Sequence, residues 1–174
     1  MPNCGVDGLT FEFPDGWLVA KYDDWSYYRN RFAMIQDGVK ALDILALSPE
    51  GVVWLIEVKD YSRHVRTKPS ELDDEVARKV LDTLAALLPA KLNGDVHEET
   101  RMAQLMLRAK GLRMVLHLET QTAGSNLTRH SIDPSNIQMK LRKRLKWIDP
   151  HPVVANSAQM NNLPWTVHRA GQTH

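Results

Sequence analysis

Asp43, Glu57 and Lys59 are the residues of this 174-residue chain whose types and spacing suit chemistry. Asp43 lies in Lys40-Ala41-Leu42-Asp43-Ile44-Leu45-Ala46-Leu47, and Glu57 and Lys59 lie in Val52-Val53-Trp54-Leu55-Ile56-Glu57-Val58-Lys59. Both stretches are otherwise mostly apolar and read as strands buried on two faces. An ionised side chain in such a strand is costly unless it is paired or holds a metal. Three charges on one hairpin point to a metal site built for chemistry. The competing reading is a cross-strand ion pair on a half-exposed hairpin, which adds little stability at a surface.

The turn formers Ser48-Pro49-Glu50-Gly51 between the strands predict an antiparallel hairpin. Side chains alternate faces along a strand, so Glu57 and Lys59 share one. If Leu47 stands opposite Val53, Asp43 stands opposite Glu57 on that same face. Only an odd register shift would part the carboxylates, and it would turn a whole strand over.

The elements around the hairpin follow from pattern. Short strands are expected near Thr10–Phe13 and Trp17–Tyr22, then a turn at Asp23–Ser26. Tyr27–Ile35 suits a strand as well as a short helix. A basic loop at 62–69 carries Arg63, His64, Arg66 and Lys68. A helix opens at Ser70 as N-cap, with Leu72, Val76, Val80, Leu84 and Leu88 inward, and stops at Pro89. On it Glu75, Arg78 and Lys79 read as a solvated face first, with support of the site as the lesser alternative. A second helix runs from Val96 to Lys110 with Gly111 as its stop. A buried strand is expected at Leu112–Leu118. A third helix starts at Asp133-Pro134. Its Ile137, Leu141, Leu145 and Ile148 face inward, and Lys140, Arg142, Lys143, Arg144 and Lys146 cover much of the rest. Final strands are expected at Pro152–Asn156 and Trp165–Arg169. This order predicts an α/β (α+β) fold, a mixed β-sheet flanked by helices in a single domain over residues 1–174.

Composition narrows the function classes. The single cysteine, Cys4, excludes an internal disulfide framework and a cysteine-rich metal cluster. No apolar run is long enough for a bilayer and no signal-peptide pattern is present, so a cytoplasmic protein away from membranes is expected. The seven histidines show no short metal-ligand spacing. There is no Gly-X-Ser-X-Gly elbow and no glycine-rich phosphate loop. Residues 1–100 hold 11 Lys and Arg against 18 Asp and Glu, while residues 101–174 hold 11 against 3. The separation hints that the C-terminal half meets a polyanion.

Asp43, thirteen intervening residues and then Glu57-Val58-Lys59, followed by a helix, resemble the PD-(D/E)XK nuclease superfamily, the restriction-endonuclease-like fold. The resemblance runs from Val39 to Leu118. It departs in having Leu42 where the motif's proline stands, and in lacking a glutamine early on the next helix. The family's upstream acid has three candidates here: Glu12, Asp23 and Asp24.

The resemblance implies Mg²⁺ or Mn²⁺ held by Asp43, Glu57 and the carbonyl of Val58, since hard carboxylate oxygens suit these ions. Lys59 would orient a water or steady charge on the phosphate. The expected activity is metal-dependent phosphodiester hydrolysis in nucleic acid, DNA before RNA. The alternative is a catalytically weak or inactive scaffold that binds nucleic acid or a protein in a larger assembly. Either there would be little sequence specificity, or it would come from a homodimer or a partner protein. Arg63, Arg66, Lys140, Arg142, Lys143 and Arg144 are the candidate phosphate contacts, with ordinary solvated charge as the equal alternative.

Overall fold

The computed structural model of the protein describes residues 1–62, 67, 71–120 and 132–169. Its centre is the hairpin of β4 (Ile44–Leu47) and β5 (Val52–Asp60). Leu47 stands opposite Val53 and Ile44 opposite Ile56, the register expected from the turn. Continued by one residue, it sets Asp43 opposite Glu57. β3 (Leu18–Lys21) pairs antiparallel to β4. On the other side β5 runs parallel to β6 (Gly111–Glu119), and β6 parallel to β7 (Val153–Ala155). The result is a mixed five-stranded sheet, β3-β4-β5-β6-β7.

Both faces of this sheet are covered, as the apolar runs of β4 and β5 require. Leu45, Val53 and Leu55 pack with Val76 and Val80 of α2 (Leu72–Asn93) and Leu141 of α4 (Pro134–Leu145). The α3 helix (His97–Met106) adds Ala103 and Met106 to the same core. Ile44, Ala46, Ile56 and Val58 point the other way. They meet an antiparallel sheet of β1 (Asn3–Val6), β2 (Leu9–Glu12) and β8 (Thr166–Arg169) through Leu9, Phe11 and Val167. The expected mixed α+β architecture is present, with a second sheet that the sequence pattern did not separate from the first.

Four local expectations change. β1 was not anticipated; its Cys4 and Val6 are buried while Asn3 and Gly5 face out. The ambiguous segment is helical, as α1 (Ser26–Asn30) and a 3₁₀ turn at Phe32–Met34. α2 continues through Pro89 to Asn93. Its buried line passes from Val80 to Thr83, Leu87 and Ala90, leaving Leu88 exposed, so packing on both sides of the proline outweighs the hydrogen bond it removes. Gly111 begins β6 rather than stopping a helix, and the preceding Lys110 N–H donates to Gly51 O at 2.8 Å. The start of α4 is as expected, with Asp133 Oδ1 accepting from Ser135 N–H at 2.9 Å. Ser70 lies outside the described residues.

Candidate functional site

The face of β5 that carries Glu57 and Lys59 is the one covered by α2, so these charges meet the helix rather than water. The chain before β4 is tied to α2 first. Lys40 N–H donates to Asp82 Oδ2 at 2.9 Å, and Leu42 N–H to Thr83 Oγ1 at 3.0 Å. Turning Leu42 toward the helix ends the β4–β5 ladder. The Asp43 carboxylate then takes over, its Oδ2 accepting from Val58 N–H at 2.7 Å. Among the described contacts, Val58 therefore serves the site through its N–H.

Glu57 is fully buried. Its Oε1 receives two ammonium groups, Lys79 Nζ at 2.6 Å and Lys59 Nζ at 2.7 Å. Lys59 also lies 3.3 Å from Glu75 Oε1, and Lys79 lies 3.6 Å from Asp43 Oδ1. Two lysines thus sit between three carboxylates. Burial and the charge of Asp43 push the Glu57 carboxyl up to about 7, against the pull of Lys79 and Lys59. Burial pulls Lys59 down, but Glu57, Glu75 and Asp43 outweigh it and hold the ammonium above its ordinary value.

Asp23 completes this cluster. Tyr22 N–H donates to Asp43 O at 2.9 Å, which anchors the 3₁₀ turn Tyr22–Asp24 beside β4. Asp23 then lines a polar depression of about 290 Å³ with Tyr28, Lys40, Asp43, Lys59, Glu75 and Lys79. Burial, and in part the charge of Asp43, raises its pKa. The other two upstream acids lie elsewhere. Asp24 pairs with Arg29 and Lys21, and Glu12 sits on β2 beside His168.

For metal binding the donors are mixed. Glu57 Oε2 and Asp23 Oδ1 are buried oxygens without a hydrogen-bond partner among the described residues. They are suitable donors to a hard cation. Yet no three His, Cys, Asp or Glu side chains among the described residues converge as a ready set.

Sequence reasoning placed Glu75 and Lys79 first on a solvated face and only second in support of the site; the lesser alternative is the one the structure takes, and both point into the cluster. Their four-residue spacing, and Leu72 and Val76 one turn apart, were the available signals. Arg78 does face outward, 3.4 Å from Asp82. The basic α4 residues divide. Arg144 Nε lies 2.5 Å from the buried Asp73, and Arg144 also reaches Asp74 at 3.2 Å. Lys140 lies 3.1 Å from Glu71. These two cations clasp α4 to the start of α2, so each of these candidate phosphate contacts already has an acidic partner. Arg142 and Lys143 have no acidic partner among the described residues, while Arg63 and Arg66 lie outside those residues.

Comparison with known proteins bears on what this arrangement does. The chain is similar to a cysteine–tRNA ligase of Neisseria meningitidis serogroup A, at 30% identity over 200 aligned positions. The match covers 91% of this chain and 28% of the ligase, so the chain spans less than a third of that enzyme's length. No family model matches the chain, and no solved structure does.

The relative is a ligase, and this overturns the expectation of a metal-dependent nuclease or other phosphodiester hydrolase. The physical reason for the error lies in the residue types. A buried network of ion pairs uses acids and lysines at the same strand positions as a hydrolytic metal site, and the short Asp43…Glu57-Val58-Lys59 pattern does not separate the two. No described helix is long and apolar enough to cross a membrane.

Proposed function

We propose that this chain is a tRNA-binding module that serves a tRNA ligase. The observation in support is the similarity to cysteine–tRNA ligase across 91% of the chain. Because the matched part is 28% of the ligase, the module is read as an auxiliary unit of such an enzyme and not as its whole catalytic apparatus. The expected nucleic-acid partner then becomes tRNA in place of DNA, and the expected protein partner becomes the ligase itself. The charge distribution agrees: residues 101–174 hold 11 Lys and Arg against 3 Asp and Glu, which suits a phosphate backbone.

The ion-pair cluster on this reading positions α2 against the sheet. Mg²⁺ or Mn²⁺ remains the cation proposed for it, held by Asp43 and Glu57 with Asp23 as a further oxygen donor. Such an ion, held there, would offset the negative charge of Asp23, Asp43 and Glu57 and supply countercharge to a phosphate bound at the depression.

The test is fluorescence anisotropy with labelled tRNA and a DNA duplex of matched length, each titrated with the protein at several salt concentrations. Tighter binding of tRNA, weakening linearly in log Kd against log salt, is expected. Absence of tRNA binding at low salt, or equal affinity for the duplex, would overturn the proposal.

A further inference from the structure

Trp147 is 88% exposed, while Trp17, Trp25 and Trp165 are buried and Trp54 is partly buried. A tryptophan side chain left in water forgoes a large favourable burial, and with the exposed Met139 lining the same depression the ring is part of a patch and not a lone exposed residue. Trp147 lies just beyond the last turn of α4. Lys146 Nζ sits 5.0 Å from its ring centroid, which steadies one face of the indole and leaves the opposite face open.

The surroundings have one sign of charge. Met139, Arg142, Lys143 and Lys146 recur at helical spacing and share a face. With Trp147 and Pro150 they line an open depression of about 490 Å³. No acid lines it. Arg142 and Lys143 have no ion-pair partner among the described residues, in contrast to Arg144 and Lys140 one face away. Met139 is 65% exposed and extends the apolar floor.

We propose that this surface binds an unpaired nucleotide of RNA. The base stacks on the open face of Trp147, and the flanking phosphates lie on Arg142, Lys143 and Lys146. Stacking needs an accessible ring, and backbone contact needs uncompensated cations within one nucleotide's reach; both are present here. A paired duplex would hide its base faces, so the surface suits a single-stranded end or loop. The proposal deepens the tRNA-binding reading and rests on it for the identity of the RNA.

The experiment measures binding of tRNA, of a single-stranded RNA dodecamer and of a blunt RNA duplex to wild type, Trp147→Ala, Trp147→Phe and the pair Arg142→Glu/Lys143→Glu. Circular dichroism confirms folding; all these positions are on the surface. Trp147→Ala should weaken the single-stranded dodecamer about tenfold or more, Trp147→Phe should recover most of that loss, and the duplex should change little. The double charge reversal should weaken every RNA and lower the salt slope by about 2.

If wild type binds tRNA and Trp147→Ala binds every RNA equally well, the stacking site is overturned while the tRNA reading stands. If the dodecamer binds through Trp147 but tRNA does not bind, the stacking site stands and the tRNA reading fails. Binding to anionic vesicles with no binding to any RNA overturns both.

Discussion

Lys79 Nζ lies 2.6 Å from Glu57 Oε1, joining α2 to a β5 carboxylate that has no solvent exposure. Lys59 reaches the same oxygen from two residues along the strand. A buried carboxylate is tolerated only while such partners remain. Lys79→Met, which keeps the side chain's length and removes its charge, should cost about 1–3 kcal/mol in urea unfolding at pH 8, since Lys59 stays to share the burden. At pH 6 the loss should shrink, because Glu57, with a pKa pushed up to about 7, is then largely neutral. An equal loss at both pH values would contradict the pairing.

The same group makes stability depend on pH in a defined direction. Glu57 has an ordinary value of 4.5 in the unfolded chain and about 7 in the fold. Between these values the folded chain holds a proton that the unfolded chain has lost. Stability contributed by Glu57 is therefore greatest below about 4.5 and falls as pH rises toward 7, by on the order of 3 kcal/mol. Glu57→Gln should remove this downward slope. Urea unfolding at half-unit pH steps checks it; a variant whose slope matches wild type would refute it.

The hairpin was legible because two strong rules agreed. Alternation placed Glu57 and Lys59 on one face, and the Ser48–Gly51 turn fixed the register that sets Asp43 opposite Glu57. The other half of the cluster was not legible. Glu75 and Lys79 come from a helix whose rotation onto the sheet is a tertiary outcome, and Asp23 depends on one 3₁₀ turn held by Tyr22 N–H. Pro89 was read as a stop because local propensity says so, yet Leu87 and Ala90 on either side of it are both buried. Function was the least legible. Acids and lysines in a buried hairpin specify a need for charge compensation without specifying whether a metal or another side chain provides it.

The proposed cation has a direct thermal test. A ligand bound only by the folded state raises Tm, by an amount worth about 2.7 kcal/mol at a hundredfold excess over Kd. Mn²⁺ should raise the Tm of wild type, and Asp43→Asn should abolish the rise. Lys79→Met should enlarge it, because the ammonium 3.6 Å from Asp43 Oδ1 competes for the same charge. Identical shifts in wild type and Asp43→Asn would place any Mn²⁺ elsewhere.

Not all basic residues of α4 are equivalent. Asp73 is buried, and Arg144 Nε at 2.5 Å is its charged partner. Among the described residues, Arg144→Met leaves that carboxylate with Lys140 alone, at 3.9 Å, and should lower stability measurably. Arg142→Met removes no ion pair among the described residues and should stay within about 0.5 kcal/mol. Paired urea titrations at pH 7 decide between them. Equal effects would mean that the clasp between α4 and α2 contributes nothing.

On the strand beside β5, Glu119 Oε1 accepts from His117 Nε2 at 2.8 Å and from Ser157 N–H at 2.8 Å. The His117 bond, with those from Ser157, holds the Glu119 carboxyl down to about 2 against the effect of burial. Its unfolded value is 4.5, so here the unfolded chain takes up the proton first. The stabilisation is fully present above about 4.5 and is lost as pH falls toward 2. Glu119→Gln should therefore cost about 1–3 kcal/mol at pH 7, and the gap to wild type should narrow steadily from pH 5 to pH 3. Glu12→Gln, a half-exposed acid beside His168 at 3.7 Å, serves as the comparison and should change stability by less than about 0.5 kcal/mol. A Glu119→Gln deficit that persists undiminished at pH 3 would assign the loss to packing around β7 and not to the carboxylate's charge.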